Sequence, residues 1–192
     1  MMSTILILLG AAIVVALLVV KSRYASFLAQ TPADYAEGPQ FDMREVFNGP
    51  IECEGVIYGP TGRVTSRFVA DFEASWEGNV GIVREEFRYD SGTVQHREWT
   101  FTLGNDGVIK AEAPDLDGVG SGMQKGSAVN LNYAIKLTEE AGGHVLNVTD
   151  WMYLTENGNI MNRSQFRKFG IKVAELVATM RPKQNHDFQP GE

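Results

Sequence analysis

From residue 51 onward the apolar side chains recur with a period of two, and glycine-bearing turns break the pattern every ten residues or so. A chain written this way has strands with one apolar and one polar face, and their backbone groups must find partners in neighbouring strands. The clearest run is 64–76: Val64, Ser66, Phe68, Ala70, Phe72, Ala74 and Trp76 share one face, while Thr65, Arg67, Val69, Asp71 and Glu73 share the other. Before it comes 51–58, ended by Gly59-Pro60-Thr61-Gly62. After it, Gly78-Asn79, Asp90-Ser91-Gly92 and Gly104-Asn105-Asp106-Gly107 separate runs at 82–89, 93–103 and 108–113. Further on, Val129, Leu131, Tyr133, Ile135 and Leu137 alternate with Asn130, Asn132 and Lys136, and a turn at 139–143 leads into 145–154. The segment 171–180 mixes β-branched residues with helix formers. We read it as a closing strand, because a sheet this long needs its edges paired. Roughly nine or ten antiparallel strands with short connections describe an up-and-down barrel, a mainly β fold. A short helix over 41–49, with Asp42 as N-cap and Asn48-Gly49 at its end, is placed to close one end of it.

The stretch 150–170 contains the densest polar and aromatic cluster in the chain. Asn157-Gly158 between alternating runs signals a hairpin. A two-residue turn there sets Tyr153 opposite Asn162, Trp151 opposite Ser164 and Asp150 opposite Gln165. Trp151, Tyr153, Asn162, Ser164 and Phe166 then share one face, and Asp150, Met152, Met161, Arg163 and Gln165 the other. A one-residue slip exchanges these faces.

Residues 4–20 are unbroken apolar, bounded by Lys21 and Arg23. They cover about 26 Å as helix and, with Met1, Met2 and Ser3, approach the roughly 30 Å hydrocarbon core of a bilayer. We read 1–21 as a single transmembrane anchor. A cleaved signal peptide fits less well, because no basic residue precedes the run and the cleavage pattern is poor. Residues 22–40, with Pro32, Gly38 and Pro39, form a linker; 41–180 form the barrel; 181–192 form a disordered tail. Lys21 and Arg23 argue for a cytoplasmic barrel by the positive-inside rule.

The net charge of −7 and pI of 5.0 leave no basic stripe for nucleic acid. Cys53 is the single cysteine, so an intrachain disulfide and a multi-cysteine metal site are both excluded. None of His96, His144 and His186 has a metal-ligand partner at a useful spacing, and the Asp115-Asp117 loop lacks calcium-loop spacing. No cofactor and no metal are expected. Arg97 shares an inward face with Trp99 and Phe101, and Glu85 faces inward on the adjoining strand as its expected partner. The candidate ligand-binding residues are Phe68, Phe72, Trp99, Phe101 and Tyr133 as cavity lining, Arg97 or Arg163 at a head group, and Asp150, Trp151, Tyr153 and Asn162 in the hairpin cluster. They suit a membrane-anchored binder of a lipid, fatty-acyl or other apolar molecule. The alternative is a filled barrel acting as a structural or assembly partner in a membrane complex. A carboxylate enzyme acting on a lipid, using Asp150, Glu85, Arg97 and Arg163, ranks below both.

The blocks FNGPIECEGVIYGPTGRVTSRFVADFEASW, REEFRYDSG, REWTF and DWMYL followed by NRSQFRKFG resemble, in order and spacing, a lipocalin-like bacterial family catalogued as domain of unknown function 3833. The resemblance covers residues 41–180. It implies a lipocalin-like fold, an inner-membrane or envelope association, and a genomic link to fatty-acyl-modifying enzymes of the cyclopropane synthase type; it implies no catalytic residue. Relatives of lipoprotein type place the domain outside the cytoplasm, against the charge rule. The lipid-attachment cysteine they use is missing here, and a helix takes the place of the lipid.

Overall fold

The computed structural model describes residues 2–139 and 142–183. Its ten strands close into a single antiparallel barrel in which each strand pairs with its sequence neighbours and the last returns to the first. In order they are β1 (Gly49–Tyr58), β2 (Val64–Glu77), β3 (Val80–Tyr89), β4 (Val94–Leu103), β5 (Val108–Glu112), β6 (Gly120–Lys125), β7 (Ala128–Lys136), β8 (Val145–Leu154), β9 (Ile160–Lys168) and β10 (Ile171–Pro182). The ambiguous C-terminal segment is a strand, and its pairing with β1, from Ile51 with Pro182 to Tyr58 with Glu175, removes the last free edge. β10 thus takes in Arg181 and Pro182, the first residues of the expected tail; residues 184–192 lie outside the described residues. The glycine-rich stretch after Pro114 contains β6 and is otherwise a connection.

The faces of β2, β3, β4 and β7 follow the alternation. Phe68, Ala70, Phe72, Val83, Trp99, Phe101, Val129 and Leu131 are buried in one core with Ile51, Cys53 and Ala178. β1 and β10 meet where there is no room for a side chain. A Cβ on Gly55 would stand 2.6 Å from the Val177 carbonyl oxygen and 2.7 Å from the Phe68 ring.

The expected helix at 41–49 is a single turn, α2 (Met43–Val46), with the Asp42 carboxylate accepting from the Arg44 amide at 2.9 Å. It closes one end of the barrel by burying Met43 and Phe47. The Trp76 indole N–H, donating to the Phe47 carbonyl at 2.6 Å, fastens it there. The turns at 78–79, 104–107, 126–127 and 155–159 share this end by the alternation of strand direction. The connections after β1, β3, β5, β7 and β9 lie at the other, which no helix among the described residues covers.

The β8–β9 hairpin departs from the two-residue reading. Thr155 N–H donates to the Asn159 carbonyl and Gly158 N–H to the Thr155 carbonyl, both at 2.9 Å, with Gly158 at φ 80°. This is a three-residue loop built from a type I turn and a glycine bulge. The Thr155 hydroxyl, donating to Asn157 at 2.5 Å or the Asn159 carbonyl at 2.7 Å, holds it in that longer form. One extra loop residue shifts every pair: Tyr153 faces Met161, Trp151 faces Arg163 and Asp150 faces Ser164. Consequently Asp150 and Met152 share the inner face with Asn162, Ser164 and Phe166, while Trp151, Tyr153 and Arg163 point outward.

Before the barrel, α1 (Met2–Tyr24) is an apolar helix with no buried residue, long enough to cross a membrane. The stretch between α1 and α2 contains short 3-10 turns at Phe27–Ala29 and Pro32–Tyr35 and lies against the outer wall. The Tyr35 ring packs on Trp151 and Tyr153 at 5.3 and 5.0 Å, the Tyr153 hydroxyl donates to Gln30 at 2.7 Å, and the Ser127 amide donates to the Tyr35 carbonyl at 2.9 Å. This contact buries Trp151 on a face that would otherwise be wet.

Because the β1–β10 seam admits no side chain at Gly55, Gly55→Ala should lower unfolding stability by about 1–3 kcal/mol. Urea denaturation monitored by circular dichroism checks this.

Candidate functional site

Between α2 and the middle of the barrel lies a cavity of about 100 Å³. Its wall is mostly apolar: Phe68, Phe72, Phe87, Trp99, Phe101 and Leu131, with Met43, Met152 and Met180 filling the irregular spaces. Set into it are Glu85 on β3, Arg97 on β4, Tyr133 on β7, Asp150 on β8, and Asn162 and Ser164 on β9. Each arrives by simple alternation, being two or four residues along its strand from an apolar member of the same face.

Arg97 is the centre of positive charge. Its guanidinium lies 4.0 Å from the centroid of the Trp99 ring and 5.7 Å from that of Tyr133, so two π faces replace part of its hydration. Its Nε donates to Asp115 Oδ1 at 3.1 Å, and its side chain is 13% exposed. Sequence reasoning pairs Arg97 with Glu85, which is indeed its cross-strand neighbour. The ion pair nevertheless forms with Asp115, which reaches in from the connection after β5. Arg97 Nη2 is buried and makes no hydrogen bond of good geometry among the described residues, although the guanidinium also bears on the Tyr133 hydroxyl.

The carboxylates differ in their support. Asp150 Oδ1 accepts from Asn162 Nδ2 at 2.5 Å and from the Ser164 hydroxyl at 2.8 Å, and the Asn162 amide also donates to the Trp151 carbonyl at 3.1 Å. Burial nevertheless raises the Asp150 pKa; the two hydrogen bonds and Arg97 oppose that rise without cancelling it. Glu85 is pushed up to about 7, mainly by burial, against the pull of Arg97 and a hydrogen bond from Trp99. Burial likewise raises the Tyr133 phenol and the Cys53 thiol, so neither ionises at neutral pH. The site therefore presents a fixed cation, a carboxylate near its midpoint at neutral pH and a hydrogen-bonded aspartate inside an apolar wall. Such a set can hold a polar group, or exchange a proton with one.

Among the sequence candidates, Arg97, Trp99, Asp150, Asn162, Phe68, Phe72, Phe101 and Tyr133 line the cavity. Trp151, Tyr153 and Arg163 lie on the outer wall, where Arg163 Nε pairs with Glu175 at 2.5 Å and its guanidinium stands 4.9 Å from the Phe27 ring centroid. Asp115, Ser164 and the three methionines were not among the candidates. Ser164 follows once the hairpin register is correct, whereas Asp115 sits in a connection whose path no local pattern fixes. No group of three or more His, Cys, Asp or Glu residues suited to a metal occurs among the described residues.

Folding holds a proton on Glu85 to higher pH than the unfolded chain does. Its contribution to stability is thus fully present below about 4.3, the unfolded value, and is lost as pH rises through about 7. We expect unfolding free energy to fall across that window, with Glu85→Gln removing on the order of 3 kcal/mol of the fall. Chemical denaturation at pH 4.5 and 8 measures it; an unchanged slope in the variant would assign the titration to another group.

Comparison with solved structures places the barrel among known folds. The S-type phycobiliprotein lyase CPES from Guillardia theta is similar at TM-score 0.58 and 9% identity, over 81% of this chain and 98% of that one. A protein of unknown function from the DUF3598 family of Nostoc punctiforme gives 0.55 and 10%, over 77% and 51%. Rv2717c from M. tuberculosis gives 0.52 and 13%, over 72% and 94%. At these identities the likeness establishes a lipocalin-like barrel and no shared chemistry. Comparison with curated proteins gives no match. A family model does match, over residues 22–182, so the segment after α1 and the barrel together form the matched unit, and the chain belongs to the family described as protein of unknown function DUF3833.

Proposed function

We propose that this protein is a membrane-tethered binder of a small, mainly apolar molecule carrying one polar or acidic end, with a lipid or fatty-acyl compound as the first candidate. The observation that carries the reading is Arg97: a cationic side chain inside an apolar cavity, with Nη2 buried and uncommitted beside Glu85 and Asp150. Burying such a donor is costly unless a partner arrives, and a ligand oxygen is the partner this geometry lacks. Phe68, Phe72, Trp99 and Phe101 would contact the apolar part, and α1 would hold the barrel at the bilayer where such molecules are found.

The cavity volume qualifies the ligand. About 100 Å³ holds roughly three waters or a short apolar group, not a whole acyl chain. The three methionines on the wall are unbranched and can repack around a longer guest, so the cavity can enlarge without breaking the strand pairing. The same small volume favours a second reading, a filled barrel that acts through its surface in a membrane assembly.

A binding experiment separates the two. The full chain is purified in detergent, exchanged exhaustively, extracted with organic solvent and examined by mass spectrometry. One compound class near one molecule per chain is expected, and Arg97→Gln should lower its retention about tenfold, the value of one charge-assisted hydrogen bond. No retained compound, together with no uptake of added fatty acid or phospholipid by a folded chain, would assign the protein to the surface role.

A further inference from the structure

The β9–β10 turn is built against its own local chemistry. Lys168 pairs with Ile171, leaving Phe169 and Gly170 as a two-residue loop, with φ of 52° and 79°. A turn with both central residues at positive φ favours Asn-Gly, and a bulky aromatic in that conformation is strained. Phe169 is nevertheless 90% exposed and Ile171 beside it 70% exposed, the most solvent-accessible large apolar side chains of the barrel. Neither packs on the core, so folding supplies no reason for them.

Charge accompanies the apolar tip. Between positions 163 and 175 stand Arg163, Arg167, Lys168 and Lys172 against the single carboxylate of Glu175, four cations to one anion in a chain whose net charge is −7; Arg163 and Lys172 share Glu175, and Arg167 donates to Gln165 and the Gly170 carbonyl, which leaves Lys168 beside the tip. The Lys168 ammonium lies 5.6 Å from the Phe169 ring centroid.

The path of the chain orients this end. Leaving α1 at Tyr24, the chain meets the barrel at Arg163 through Phe27, reaches Tyr153 through Gln30 and Tyr35, and then crosses the closed end as α2. Along β9, from Arg163 to Ile160, this is a climb away from the anchor and away from Phe169. With α1 as the anchor, this path sets the closed end farther along the chain from the membrane than the wall at Arg163. Only Ala25 and Ser26 separate α1 from the docked Phe27, so the tether is short.

We infer that the β9–β10 tip is a membrane wedge: Phe169 and Ile171 enter the interfacial layer of the bilayer, Lys168 meets anionic lipid head groups with the net positive charge of Arg163, Arg167 and Lys172 over Glu175 behind it, and the uncapped end of the barrel faces the membrane. An exposed aromatic and a branched aliphatic residue ringed by basic side chains is the composition that partitions into an anionic interface. This orientation turns the uncapped end toward the compartment that holds apolar ligands. The inference rests on α1 being the membrane anchor of the proposed function.

The test uses the full chain in nanodiscs of phosphatidylethanolamine and phosphatidylglycerol, with an environment-sensitive dye on Ile171→Cys or, at the opposite end, on Glu156→Cys. Cys53 is buried and its thiol is raised by burial, so it does not compete for label. The dye at 171 should be blue-shifted and shielded from iodide, and the dye at 156 should not. Adding Phe169→Asn, which improves the turn, should abolish that shift while leaving thermal stability equal or higher. A dye at 171 as wet as that at 156, in a chain that also stays with vesicles of the same two lipids through alkaline extraction, overturns the wedge and leaves the anchor intact. A chain that leaves the vesicles under extraction overturns both.

Discussion

Everything in this molecule depends on the pairing of β10 with β1. An open sheet of ten strands would expose two rows of backbone N–H and C=O groups and could not decide which face to bury. Closure gives every strand two partners and makes one face the interior by geometry. The seam tolerates no excess atoms at Gly55, so the two strands can meet with Phe68 lying directly over the join. Once the ring is closed, the parity of each hairpin decides which residues enter the cavity.

The interior that results is not a simple oil drop. An arginine and three carboxylates, counting Asp115, come within reach of one another in an apolar shell, and each is handled differently. Arg97 spends one edge on Asp115 and lays its plane on Trp99. Asp150 takes neutral donors from Asn162 and Ser164. Glu85 is given least and drifts toward the protonated form. A purely structural core would gain by replacing such a group with packed apolar side chains. That the cavity keeps it, with one guanidinium nitrogen lacking a hydrogen bond, is the observation on which the proposed polar-ended ligand rests.

The alternation of β2, β3, β4 and β7 was readable because a period of two survives any loop length, and Arg97, Trp99 and Tyr133 were placed inside from that signal alone. The hairpin faces were not readable, because they depend on whether a loop has two residues or three. Here that choice is made by the Thr155 hydroxyl and by Gly158, features that Asn157-Gly158 conceals by signalling the shorter turn. Asp115 escaped for a different reason, since it lies in a connection whose path is set by the closed barrel. The contact of Tyr35 with Trp151 escaped because an aromatic-bearing linker and a solvated one look alike until the wall they meet is known.

Alternation also lets β8 and β9 serve two surfaces at once. Their inner residues Asp150, Asn162 and Ser164 form the polar end of the cavity, and their outer residues Trp151, Tyr153 and Arg163 hold the segment that comes from α1. The two sets meet at one hydrogen bond, from the Asn162 side-chain amide to the Trp151 carbonyl, made by the same nitrogen that donates to Asp150. A shift of the Trp151 backbone toward or away from Tyr35 would change how well that nitrogen serves the aspartate. The segment that follows α1 and the cavity are thus joined by two adjacent strands and a shared donor, so a change at the outer wall can reach the charge held inside the barrel.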